Sequence, residues 1–207
     1  MTPSRPIIAF AVVCVLAGAS SRAFAQGGKP AMDHGKHRMG PDIVVPKGAP
    51  YTKADVEFMQ GMIAHHAQAI VMSRMAEANG ANPNVLKLSR KIDQSQVPEI
   101  IIMQQWLRRY GQFVPDTASW HDMRMDGMLS DDELKAMSEA KGVAFDRLFL
   151  NGMIKHHAGA LKMVDDLFKS PGAGQEVDAS VFANDVVTVQ TVEIGIMRRL
   201  LSQLPQE

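Results

Sequence analysis

Apolar positions along the chain fall into long stretches with helical spacing, separated by turn signals. Phe58, Met62, His65, Ala69 and Met72 recur at steps of four, three, four and three, which predicts a bundle helix with one buried seam. Thr52 followed by Asp55 offers its N-terminal cap, and Asn79-Gly80 its stop. A second helix is expected over about residues 84–110, with Val85, Leu88, Ile92, Gln96, Ile100, Met103 and Leu107 facing inward. Pro98 removes one backbone donor inside it and predicts a bend. Gly111 and Pro115 then close the first half. Ser130-Asp131-Asp132-Glu133 reads as a capping box that opens a short helix ending near Ala140. Gly142 breaks that pattern, and a long helix follows over about residues 143–169. Ser170-Pro171-Gly172-Ala173-Gly174 stops it, and a last helix runs over about residues 177–204.

The first and third long patterns are one segment written twice. Phe58-x-x-Gly61-Met62-Ile63-x-His65-His66-Ala67-x-Ala69-x-x-Met72 recurs from Phe149 to Met163 at an offset of 91. Nine of its fifteen positions match, where chance gives roughly one. Gln96-x-x-Glu99-Ile100-x-x-Met103 likewise aligns with Gln190-x-x-Glu193-Ile194-x-x-Met197 at an offset of 94. The repeat is therefore a whole helical hairpin. Residues 51–110 form the first copy, 111–142 a crossover with a short extra helix, and 143–205 the second copy. The expectation is an all-α four-helix bundle domain over residues 51–207.

The N-terminus alters the composition that matters. Arg5, the apolar run from Ile7 to Ala17 and Ala23-Phe24-Ala25 form a signal-peptide pattern over residues 1–25. The mature chain is expected to be exported, periplasmic or secreted, with no membrane span after cleavage. Cys14 leaves with the signal, so neither disulfides nor thiolate sites are available. The mature net charge becomes −2, with 20 basic against 22 acidic residues. That balance carries no basic stripe for nucleic acid. Residues 26–50 hold Gly, Pro, Lys and His without apolar periodicity and read as a mobile arm. Met32, His34, His37 and Met39 cluster there, either as a metal-capturing arm or as an incidental polar leader.

Candidate chemistry centres on the two histidine pairs. On a helix, Met62 sits one turn before His65 and His66, and Met153 one turn before His156 and His157. His65 and His156 fall on the seam and should face the interior, with His66 and His157 at its flank. Gln96, Glu99, Gln190 and Glu193 come from the partner helices. A Glu–His pairing there would serve a structural polar layer and a carboxylate that orients a metal-binding imidazole equally well. Imidazole with thioether and no thiolate suits copper, Cu(I) above all, while zinc gains little from the methionines. Ile102 and Ile196 stand where a Glu-x-x-His di-iron motif needs histidine. The crossover adds His121, Met123, Met125 and Met128, either a second soft-metal patch or residues clamping the loop over the bundle. No His-Glu-x-x-His, phosphate loop or nucleophile elbow is present.

The stretch from Gly127-Met128-Leu129-Ser130 through Phe149-Leu150-x-Gly152-Met153-Ile154-x-His156-His157 to Met163 resembles the domain-of-unknown-function family numbered 305. Asp55, Phe58-Met59-x-Gly61-Met62-Ile63-x-His65-His66 repeats the same signature. The resemblance covers about residues 50–205 and implies a ferritin-like bundle from a bacterial export compartment. Some members resemble periplasmic copper-binding proteins of the CopM type, which bind copper through His and Met and support copper resistance. It marks Met62, His65, His66, Met153, His156 and His157 as metal ligands, with Met125 and Met128 beside them. The resulting expectation is a non-enzyme that sequesters copper or hands it to another periplasmic copper protein. A metal-dependent redox enzyme and a metal-free structural domain are the alternatives.

Overall fold

The computed structural model describes residues 40–205. The signal-peptide segment and His34, His37 and Met39 lie outside the described residues. Five α-helices follow in order: α1 (Lys53–Ala78), α2 (Pro83–Arg109), α3 (Asp131–Glu139), α4 (Gly142–Lys169) and α5 (Val177–Gln203). A 3₁₀ turn at Thr117–Asp122, which the apolar spacing did not predict, precedes α3. α1 pairs with α2 and α4 with α5, the two hairpins join along α1 and α4, and α3 packs on α4. Among the described residues no helix is long and apolar enough to cross a membrane.

The starts of the helices are fixed by side chains that also reach a second element. Thr52 and Asp55 form a reciprocal capping box at α1. The other Asp55 oxygen accepts the Gly174 amide at 2.7 Å, which ties the α4–α5 turn to the start of α1. Asn82 caps α2 and donates to Asp146 of α4 at 2.7 Å. Glu176 caps α5 and accepts from the Trp106 indole of α2 at 2.7 Å. Each of these buried polar groups is satisfied across the hairpin boundary, which sets the hairpins in register.

α1 departs from the expected one-seam helix. Every residue from Phe58 to Ile70 is buried, because the crossover covers the face that would otherwise meet water. Its polar residues are met by crossover backbone. Gln60 donates to the Phe113 carbonyl at 2.9 Å, and Gln68 exchanges two bonds with Leu129, at 3.0 and 2.8 Å. On α4, Lys155 and Lys162, which match Ala64 and Val71 of α1, stay exposed: Lys155 pairs with Glu133 at 2.7 Å and Lys162 with Asp126 at 3.0 Å. Residues 40–50, read as the end of an arm, also lie on the bundle. Ile43, Val45 and Ala49 pack on the core, and Gln112 donates to the Val44 carbonyl at 3.1 Å.

Candidate metal centre

Position 68 of the first copy corresponds to position 159 of the second, and the substitution there shapes the site. Where α1 carries Gln68, α4 carries Gly159, and the crossover backbone settles directly on it. A Cβ at Gly159 would stand 1.9 Å from the Asp126 carbonyl oxygen. Gly127, at φ +80°, turns the crossover at this close approach. The Asp126 carbonyl is thereby carried into the bundle beside His65.

At the centre the His65 and His156 rings pack against each other, with centroids 3.8 Å apart and planes tilted by 43°. The Nε2 atom of His65 lies 3.2 Å from the Asp126 carbonyl oxygen. That of His156 lies 3.0 Å from the His65 carbonyl oxygen. A carbonyl oxygen only accepts, so both Nε2 atoms carry the proton and both Nδ1 atoms keep a lone pair. Neither Nδ1 has a hydrogen-bond partner. Burial pushes His65 from 6.5 down to about 3, with neighbouring His66 adding to the effect and the Asp126 bond opposing it. His156 is held well below its usual value, first by burial and then by the adjacent histidines. Both rings are therefore neutral at ordinary pH, the form in which imidazole binds metal.

His66 and His157 lie on the flanks of the central pair, and both are completely buried. A rotation of about 100° from the central pair turns them toward the antiparallel partner of their own hairpin rather than toward water. His66 Nε2 meets Glu99 at 2.7 Å, and His157 Nε2 meets Glu193 at 2.9 Å. Their Nδ1 atoms also lack a hydrogen-bond partner. The two pairs are not equivalent. Glu193 is 1% exposed and held by Lys91 at 3.3 Å, whereas Glu99 is 22% exposed. Burial raises the Glu193 carboxyl, but the His157 bond and the His157 and Lys91 charges outweigh it and the net shift is downward. Gln96 and Gln190 are buried on the same helices, each with its Oε1 atom unpartnered.

The remaining candidates divide by burial. Met62 and Met153 are fully enclosed, and Met123 and Met128 also lie in the core, holding the crossover down. Met125 is half-buried. His121 is exposed and stacks on Trp120 at 3.7 Å, away from the central pair. Among the described residues, no three His, Asp or Glu side chains converge to hold a metal. The structure thus gathers His65, His156 and the crossover around one point, and leaves the His–Glu pairs on separate flanks. Asp126, Gly159 and Met163 belong to this arrangement but were not singled out from the sequence; the unequal pair Gln68 and Gly159 was the signal.

The fold is shared with solved structures. A DUF305 fragment from Deinococcus radiodurans is 30% identical with a TM-score of 0.67, covering 75% of this chain and 100% of that one. A DUF305 protein from Streptomyces coelicolor is 27% identical with a TM-score of 0.63, covering 72% and 93%. CopM in its Cu(I)-bound form is 28% identical with a TM-score of 0.58, covering 72% and 95%. CopM has also been solved in Cu(II)- and Ag-bound forms. No curated protein matches the chain. Residues 55–201 match the profile of the domain of unknown function DUF305, and the chain belongs to that family.

Proposed function

We propose that this is an exported copper-binding protein that sequesters or transfers copper through histidine and methionine ligands, without bond-making chemistry of its own. The observation that carries this reading is the central imidazole pair, buried, neutral and with both Nδ1 lone pairs unused. Two nitrogens with no third carboxylate or imidazole converging on them among the described residues, and a methionine one turn before each ring, suit a soft ion of low coordination number. Zinc, which takes four ligands, has no ready set among the described residues. The metal-bound CopM structures support the same ion class for this fold. His66–Glu99 and His157–Glu193 would orient the helices around the pair, as carboxylates orient metal-binding histidines elsewhere. Export rests on the N-terminal signal pattern.

The metal-free structural reading draws on one observation, that every buried Nε2 already has an acceptor. One titration separates the two. Mature protein is titrated anaerobically with Cu(I) against a competing chelator, beside the His65→Ala/His156→Ala variant. The copper reading expects stoichiometric binding that weakens at least about a hundredfold in the variant, near 2.7 kcal/mol. Undiminished binding by a folded variant contradicts it.

A further inference from the structure

The repeat places Gly61 of α1 and Gly152 of α4 at equivalent positions, each one turn before a central histidine. Both glycines are sockets for methionine. A Cβ at Gly61 would stand 3.3 Å from Met125 Sδ and 3.3 Å from Met163 Cε. At Gly152 it would stand 3.0 Å from Leu129 Cδ2, 3.0 Å from Met137 Cε and 3.4 Å from Met72 Cε. Met72 and Met163 end the two copies of the fifteen-residue segment, so each copy's glycine receives the other copy's methionine. A second methionine from the crossover side completes each pair.

Packing explains the pair at Gly152, where Met72 is 0% and Met137 1% exposed. The other pair also packs on the core, but Met125 and Met163 both remain partly exposed to solvent. The Met125 sulfur and the Met163 methyl meet over Gly61, beside the crossover peptide whose Asp126 carbonyl accepts from His65. The nearby Lys162 ammonium is matched by two carboxylates, Asp126 at 3.0 Å and Asp166 at 2.6 Å. Thioether sulfur is a soft, uncharged ligand that selects monovalent soft ions over hard ones.

We propose that Met125 and Met163 form the loading site where Cu(I) or Ag(I) is first held before passing to His65, and that Met72–Met137 serves packing alone. This rests on the copper-binding reading above. The path is one helical turn, from the methionine pair over Gly61 to the unpartnered Nδ1 of His65. The duplication thus yields two sockets of one design, one open and one sealed.

The test uses the mature chain and Ag(I), which binds as Cu(I) does without redox change. Uptake is followed by stopped flow in the wild type, in Met125→Leu/Met163→Leu and in Met72→Leu/Met137→Leu. Met-to-Leu exchange conserves volume and is tolerated by packed cores. The loading site predicts uptake about tenfold slower in the first variant and within about twofold of wild type in the second. In unaltered protein labelled at methionine methyls, the Met125 and Met163 signals should shift before the ring signals of His65 and His156. Unchanged rates with histidine signals moving first overturn the loading site and leave copper binding standing. Equal slowing by both variants also overturns it. No silver uptake by the wild type overturns both.

Discussion

Replacing Gly159 by alanine is expected to lift the crossover from α4 and to cost about 3 kcal/mol, the upper end of the usual overpacking range. The added Cβ would lie 1.9 Å from the Asp126 carbonyl oxygen, 2.5 Å from its carbon and 2.7 Å from the Gly127 Cα. All three are backbone atoms, so no side chain can rotate away to relieve the clash. Movement of that peptide also removes the acceptor of His65 Nε2 and the Asp126 partner of Lys162. Gly195→Ala in α5 is the matched control, since nothing lies within 4 Å of its Cβ. There the helix gains roughly 0.5–1 kcal/mol from the ordinary advantage of alanine over glycine. Urea midpoints of the two variants should therefore move in opposite directions. A Gly159→Ala protein within about 1 kcal/mol of wild type would mean that the crossover seat is soft.

The second large effect is acid instability of the metal-free protein. The unfolded chain takes up protons at both histidines as pH falls through 6.5, whereas folded His65 resists until about 3 and folded His156 is also held well below its usual value. Between those limits the unfolded state binds more protons, so stability falls as pH falls, by roughly 1.4 kcal/mol per pH unit for each histidine once the unfolded ring is fully protonated. Below pH 4.5 the depressed Glu193 carboxyl adds to the loss in the same direction. Two such groups acting over two pH units remove several kcal/mol, a large share of the ~5–15 kcal/mol of an ordinary domain. Unfolding free energy measured at pH 7, 6, 5 and 4 should decline steeply below pH 6. His65→Leu/His156→Leu should flatten most of that slope. A wild-type profile flat to pH 4 would show that the central rings accept protons in place.

Much of this arrangement could be read from residue spacing, and the reasons for the rest are physical. Helix starts were legible because Thr52–Asp55 and Ser130–Glu133 are local devices whose partners lie three residues away. The paired hairpins followed from duplication, and Glu99 and Glu193 pair with the flanking His66 and His157, whereas the seam histidines meet backbone carbonyls. The burial of α1 on all sides was not expected, although one sign was present. From Phe58 to Ser73 there is no Asp, Glu, Lys or Arg, while α4 carries Lys155 and Lys162 at the equivalent places. A single-seam reading weighs only the apolar positions and overlooks that missing charge. The flank position of His66 and His157 was legible from their angle around α1 and α4, but their complete burial was not, because it depends on the partner helix that fills that direction. The seat of Asp126 on Gly159 joins residues far apart in sequence, and no local pattern encodes it.

The role of the duplicated segment narrows accordingly. Gly61 and Gly152 admit methionines, His66 and His157 join each hairpin internally, and His65 and His156 meet each other across the two copies. The claim that this pair holds the ion through Nδ1 is tested most directly by NMR of protein labelled with ¹⁵N at histidine and loaded with one equivalent of Ag(I). The account predicts a silver–nitrogen one-bond coupling at Nδ1 of His65 and His156, with Nε2 of both rings still protonated. Coupling at Nε2, or only at His34, His37 or His121, would contradict it.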